Sequence, residues 1–374
     1  MRIGIDCRVI YDVEKNKGAG VERYVFNLVK NILLQDKKNE YVLFFDKKTS
    51  QHTIDSLKKF GHFTPQIFNN KVPFFSNHFF FSFMLWGEWL DRMIFPANVM
   101  PFFYIGRSAL VIHDVAIYNN PEWFPQGQWF SKMLLVPSSV MKATDIVTVS
   151  QTTKDDLLDL FKFKPEKRIH VIYPGLLKEK DSSILTQEKV MKEFNINYDY
   201  LLFTGTIEPR KNLLRLLKAF SLYAQETDSK INLLITGAKG WKYKRIFFQI
   251  KKINKKLDRR AVKYLGKVTN KERKTLMEKA VAFTFPSLYE GFGFPVLESM
   301  ASGTPVITSN VSAMAEYIKD QAILVDPESI TEIKNAIKKI LEDPELQVSL
   351  GKKGRELSTQ FTWTKTARKL LELI

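Results

Sequence analysis

The chain has 374 residues, 45% hydrophobic and 26% charged, which is enough for two domains with separate cores. Its one cysteine, Cys7, excludes an intramolecular disulfide framework and a cysteine-held metal cluster, and suits a reducing cytoplasm. The net charge is +17, yet no helix-turn-helix, zinc-finger or RNA-binding signature accompanies it, so nucleic acid is not an expected partner.

Met1 leads straight into the strand-like run Arg2 to Asp6, with no signal-peptide pattern ahead of it. Strand candidates follow at Tyr41–Phe45, Leu110–His113, Ile146–Val149 and His170–Tyr173, after the first at Ile3–Ile5. Helical patterns lie at Val21–Leu34, Gln128–Lys142 and Thr152–Phe161. The most apolar stretch, Phe74 to Tyr104, is broken by Glu88, Asp91, Arg92, Pro96 and Pro101. A bilayer span needs roughly 20 mostly apolar residues, so no transmembrane helix is expected, and core packing is the commoner fate of such a stretch. Pro174-Gly175 punctuates the chain, and the polar stretch Leu176–Asp199 reads as an interdomain connection.

The alternation then restarts with strands at Leu201–Thr204, Leu233–Thr236, Val262–Leu265, Val281–Phe285, Val306–Thr308 and Ile323–Val325. Helices are expected near Asn212–Ala224, Lys242–Asp258, Asn270–Glu278, Pro295–Ala301 and Ser312–Lys319. Ser329–Glu342, Pro344–Ser358 and a last segment, Thr364–Ile374, close the chain. Short apolar runs alternating with amphipathic helices predict an α/β fold of two doubly wound parallel sheets. Between Lys239 and Lys274 stand fifteen Lys or Arg against two acids, with Ile246, Ile250, Ile253 and Leu257 at helical spacing. This is an amphipathic helix with a cationic face. It is either a solvated surface or a contact for an anionic membrane or acceptor.

Four signals carry chemistry. The densest runs Pro286-Ser287-Leu288-Tyr289-Glu290-Gly291-Phe292-Gly293-Phe294-Pro295-Val296-Leu297-Glu298: a strand end, a glycine loop and a helix start. Backbone N–H groups at a helix start favour an anion, so the loop suits phosphate. Glu290 and Glu298 suit hydroxyl recognition, because a carboxylate can accept from both members of a vicinal diol; the bland alternatives are a loop charge and a first-turn dipole residue. The second signal is Gly205-Thr206-Ile207-Glu208-Pro209-Arg210-Lys211-Asn212. Two cations at a helix start oppose its dipole unless a diphosphate lies between them; two solvated cations are the alternative. The third is His113-Asp114 at a strand end, where a histidine can bond a ligand hydroxyl or move a proton, or serve structure alone. The fourth, Gly18-Ala19-Gly20 before the first helix, would let backbone approach a phosphate or sugar.

Together these motifs, with Leu265-Gly266, Gly303-Thr304-Pro305-Val306 and Phe361-Thr362-Trp363, resemble retaining glycosyltransferases of family 4 over nearly the whole chain. The resemblance implies the GT-B architecture: two Rossmann-like domains facing a cleft, residues 1–175 rejoined by 361–374 and residues 176–360. It implies that Arg210 and Lys211 hold the donor diphosphate and Glu298 the ribose. Glu290, Gly291, Phe292 and Gly293 would hold the transferred sugar, His113 would contact it, and Gly20 would lie beside the phosphates. Gly205, Thr206, Val296 and Leu297 belong to the same donor-binding motifs, and backbone at Lys267 and Val268 would flank the base. Glu290, His113, Arg210 and Lys211 are the catalytic candidates. Tyr173-Pro174-Gly175 stands where the family usually has Pro-Asn-Gly, a departure confined to a turn.

No Asp-x-Asp motif occurs, so neither metal nor cofactor is expected; Arg210 and Lys211 would neutralise the leaving diphosphate. The second and third motifs resemble those of bacterial mannosyl- and rhamnosyltransferases of polysaccharide assembly. GDP-mannose is therefore the expected donor and a saccharide or lipid-linked glycan the acceptor, with a UDP-hexose as the alternative donor. A cytoplasmic place, peripheral at the inner membrane face, fits that work. A nucleotide-sugar epimerase on the same architecture and a nonenzymatic membrane-associated binding protein are the rival readings. The first strand lacks the Gly-x-Gly-x-x-Gly loop of a nicotinamide enzyme.

Overall fold

The computed structural model describes residues 1–12, 20–69, 76–125, 131–161, 168–177 and 182–374. Gly18 and Ala19 of the glycine loop, and the start of the helix expected at Gln128, lie outside the described residues. The chain divides into two compact units. One comprises Met1–Pro121, Pro125–Leu177 and Phe361–Ile374; the other comprises Glu122–Phe124 and Lys178–Gln360.

The first unit is built on seven parallel strands: β1 (Arg2–Asp6), β2 (Glu40–Asp46), β3 (Thr64–Phe68), β4 (Arg92–Phe95), β5 (Ser108–Ile112), β6 (Asp145–Thr148) and β7 (Ile169–Val171). Their order is β3-β2-β1-β4-β5-β6-β7. β5 is buried at every residue, as a strand covered on both faces should be. The strand order reverses between β1 and β4, so their carboxyl ends open a crevice.

β3 and β4 escape sequence reading for different reasons. β3 is an edge strand, Thr-Pro-Gln-Ile-Phe, mostly exposed and carrying Pro65, so it shows neither alternation nor an apolar run. β4 is four residues long and sits inside the aromatic-rich stretch, which itself divides. Phe81, Leu85, Met93 and Phe95 enter the core, while Phe80, Phe83 and Trp89 face solvent. The core-packing expectation thus holds for part of that stretch among the described residues.

The last helix, Trp363–Leu371, packs against the first, Gly20–Gln35, and buries Trp363, Thr366, Ala367 and Leu370. Tyr24 meets the Trp363 ring edge-on at 5.3 Å. The Leu176 N–H donates to Phe361 O at 3.0 Å, and the Thr366 hydroxyl to Tyr173 O at 2.8 Å. Gly175 makes this closure possible, since a Cβ there would lie 2.0 Å from the Trp363 nitrogen.

The second unit has six parallel strands: β8 (Tyr200–Thr204), β9 (Asn232–Thr236), β10 (Val262–Gly266), β11 (Ala282–Phe285), β12 (Val306–Ser309) and β13 (Ile323–Val325). Their order, β10-β9-β8-β11-β12-β13, reverses between β8 and β11. The basic helix, Lys244–Lys256, buries Ile246, Ile250 and Ile253 and leaves Lys251, Lys252, Lys255 and Lys256 exposed. No helix among the described residues is long and apolar enough to cross a membrane.

Candidate active site

At the β8/β11 reversal two loops interlock. The loop after β8 ends in a single turn, Pro209–Lys211, and then Asn212 takes a left-handed conformation (φ 58°) that starts the helix Leu213–Glu226. Asparagine tolerates that conformation because its short amide can bond locally. Here the amide Nδ2 donates to Pro286 O at 2.9 Å and to Pro327 O at 2.6 Å. The Leu288 N–H donates to Arg210 O at 2.9 Å, so the loops after β8 and β11 are fixed to one another.

This locking brings four charges together. Lys211 Nζ donates to Glu290 Oε1 at 2.5 Å, and Ser287 Oγ donates to the same oxygen at 2.8 Å. Arg210 NH1 reaches Tyr289 O at 3.1 Å and Glu290 Oε2 at 3.4 Å, while its Nε donates to Glu208 Oε1 at 3.2 Å. Glu208, Lys211 and Glu290 are each buried. The dipole conflict expected of two cations at a helix start is therefore met inside the protein by two carboxylates.

Protonation follows the same geometry. Burial works against ionising Glu290, but the charges of Lys211 and Arg210 outweigh it, and its carboxyl titrates below the usual range. For Lys211, burial and the neighbouring Arg210 exceed the help from the carboxylates, and the ammonium is pulled down. Burial pushes Glu208 up against the opposing pull of Arg210 and Lys211.

Gly293, at φ 90°, caps the helix Phe294–Ala301, and the N–H groups of Val296 and Leu297 both point to its carbonyl. The side chains of Val296 and Leu297 are wholly buried, so these two supply packing and helix position. Glu298 lies one turn in and faces Arg273, whose NH2 is 3.3 Å from either carboxylate oxygen. Gly205 and Thr206 follow β8 directly. Lys267 and Val268 follow β10, the outer strand on that side of the same sheet.

In the first unit His113 follows β5. Its Nε2 is 2.8 Å from Pro96 O; a carbonyl only accepts, so Nε2 carries the proton and Nδ1 is the acceptor of the neutral ring. The His113 backbone N–H donates to Asn98 Oδ1 at 2.7 Å, and its ring stands edge-on to Tyr24 at 4.6 Å. Burial lowers its pKa, with Pro96 O and Asp114 opposing. Gly20 opens the first helix, and a Cβ there would meet nothing within 4 Å.

Sequence reading missed three participants: Arg273, which faces Glu298; Ser287 as a donor to Glu290; and Glu208 as the partner of Arg210. Only the cluster of charged types within Glu208–Lys211 hinted at the last.

Two units built on parallel sheets flanked by helices match the architecture of solved GT-B glycosyltransferases. Residues 186–357 match the family of group 1 glycosyl transferases. Over 261 residues the chain is 28% identical to O-antigen chain mannosyltransferase B of Escherichia coli, covering 69% of this chain and 67% of that protein. Over 239 residues it is 30% identical to the O-antigen chain mannosyltransferase RfbU of Salmonella typhimurium, covering 64% and 62%. In fold it is similar to Anabaena HepE, solved with UDP and glucose, at a TM-score of 0.74 and 17% identity over 100% of this chain and 99% of that one.

Proposed function

We propose that this glycosyltransferase moves mannose from GDP-mannose to a saccharide or lipid-linked glycan in cell-surface polysaccharide synthesis, retaining anomeric configuration and using no metal. The observation that carries this reading is the half-buried Arg210 and buried Lys211 beside Glu290 at the β8/β11 switch point. A diphosphate entering there exchanges carboxylate partners for phosphate oxygens. Two fixed cations then oppose the charge that develops on the leaving group, the work a divalent ion does elsewhere. The donor C1–O bond breaks, C1 bonds to the acceptor oxygen on the same face, and the acceptor proton passes to the leaving phosphate. Glu298, aligned by Arg273, holds the ribose, and His113 accepts a hydrogen bond from a donor-sugar hydroxyl at Nδ1. The mannosyl donor rests on the likeness to the O-antigen enzymes.

The exposed lysines of the helix Lys244–Lys256 add an anionic membrane surface as a partner. A cytoplasmic site, peripheral at the inner face of the membrane, suits an enzyme that meets a soluble nucleotide donor and a lipid-linked acceptor. The test is a panel of GDP- and UDP-sugars assayed for binding and slow hydrolysis, with and without EDTA. Preferential turnover of GDP-mannose under chelation is the expected result. A UDP-hexose turned over instead would change the donor, and activity lost to EDTA and restored by Mg²⁺ would overturn the metal-free mechanism.

A further inference from the structure

Three helices of the second unit, Leu213–Glu226, Lys244–Lys256 and Ile330–Glu342, meet around a cavity of about 710 Å³. The first of them packs against both of the others. Leu214, Phe248 and Ile330 give the cavity apolar walls, and Arg215, Lys218, Lys244 and Arg245 stand around it. Helical spacing gathers these side chains: 214, 215 and 218 share one face of the first helix, and 244, 245 and 248 one face of the second. That second face is opposite to the buried Ile246, Ile250 and Ile253. None of the lining residues belongs to the loops that carry Arg210, Lys211 and Glu290, and the lysines at 251, 252, 255 and 256 do not line it either.

Charge decides the first property of an occupant. Among the described residues no carboxylate lines this cavity. Lys218, Lys244 and Arg245 are exposed and make no ion pair. Arg215 is half-buried and held in place: its NH1 donates to Asn212 Oδ1 at 3.2 Å, and its NH2 lies 3.8 Å from Glu328 Oε1. So long a pair with an exposed carboxylate neutralises little of the guanidinium charge. A concave surface with one sign of charge concentrates its field and gathers counter-ions. Guanidinium and ammonium donors answer phosphate oxygens with charge-assisted bonds. The occupant is therefore an anion.

The apolar walls decide the second property. Phe248 is 69% exposed and Leu214 39%. Single exposed apolar side chains are ordinary, but these share one concavity with four cations, and apolar surface rimmed by polar groups marks an interaction site. The volume falls within the roughly 300–1,000 Å³ of small-molecule sites, so the occupant is a small molecule. A bare inorganic ion would leave the apolar walls in water. A neutral ring would leave four positive charges unmatched. Only a molecule with both an anionic and an apolar part uses the whole lining.

We propose that this cavity binds a soluble organic phosphate, an ester that carries an apolar ring, with its phosphate on Lys218, Lys244 and Arg245 and its ring against Phe248. The proposal goes beyond the transferase reading and stands or falls separately from it. The probe is 1-naphthyl phosphate, titrated onto the full chain beside its two fragments, inorganic phosphate and neutral 1-naphthol. It should bind tenfold or more tightly than either. Lys218→Glu with Arg245→Glu changes only exposed side chains and should weaken the probe tenfold or more. Phe248→Ser should reduce its affinity to that of inorganic phosphate. Lys189→Glu with Lys192→Glu makes the same change of charge on the exposed face of the helix Ile184–Glu193 and should leave affinity within twofold. Equal weakening by the two charge-reversed pairs, a probe no tighter than its fragments, or unchanged affinity in Phe248→Ser would overturn the proposal. So would vesicles of phosphatidic acid that bind through Phe248 when 1-naphthyl phosphate does not, since the face would then be a membrane contact. GDP titrated in parallel reports the donor loops: Phe248→Ser should leave its affinity unchanged, and equal loss of both ligands would place the probe in those loops instead. The expected naphthyl phosphate pattern without any GDP binding would count against the transferase reading and leave this cavity assigned.

Discussion

Glu290 holds the buried Lys211 and the half-buried Arg210 before any ligand arrives, and that sets what its removal should do. Glu290→Ala leaves Lys211 and Arg210 without that counter-charge, and breaking a buried ion pair costs about 3–5 kcal/mol. The variant should unfold at lower urea and lose most of its turnover. Nucleoside diphosphate affinity should stay level or tighten, since the phosphates no longer compete with a carboxylate. Glu298→Ala should behave oppositely, weakening the bare diphosphate by about 1.5–3 kcal/mol for one lost charged hydrogen bond. Calorimetry on both variants distinguishes these outcomes, and equal weakening in the two would mean the roles are misassigned. Both glutamates and both cations are legible in the sequence because they fall within short runs beside glycines. Arg273 was not legible: its partner lies 25 residues away, and only folding makes a lone helix arginine the neighbour of Glu298.

Elements show the same division between what is locally encoded and what is not. Every strand of the second unit stands close to where its apolar run lies, because each is a short, mostly apolar stretch between turn residues. The sequence shows neither β3 nor β4 of the first unit, nor the β1/β4 crevice. His78, buried in the same unit, supplies a test of the packing. The folded protein refuses its proton until about pH 4, whereas the unfolded chain accepts one near 6.5. Its contribution to stability is therefore complete above pH 6.5 and lost as the pH falls toward 4. His78→Gln should flatten that part of the pH profile of the unfolding midpoint, and an unchanged slope would show that His78 titrates freely. At the other end of the sheet, Gly175→Ala forces a methyl onto the Trp363 backbone. Overpacking of this kind costs about 1–3 kcal/mol, and amide exchange across Trp363–Leu371 should accelerate if the helix is held there.

For the whole molecule the uneven charge matters more than its sum. The lysines at 251, 252, 255 and 256 share the outer face of a helix whose inner face is isoleucine. Reversing those four charges should reduce binding to vesicles rich in anionic lipid at low salt while donor hydrolysis stays near normal. Unchanged vesicle binding would leave that face merely solvated.

Because the first unit is closed by Phe361–Ile374, its chain is interrupted by the whole of the second. A ribosome therefore releases every residue of the second unit before it supplies the helix that completes the first. Domains fold in the order in which they emerge, at about 5–20 residues per second. Here the unit begun first can only be finished last. Until Trp363 arrives, Tyr24 and the first helix lack their cover, and a nascent chain stalled near residue 360 would expose that apolar face to chaperones with the second unit already formed.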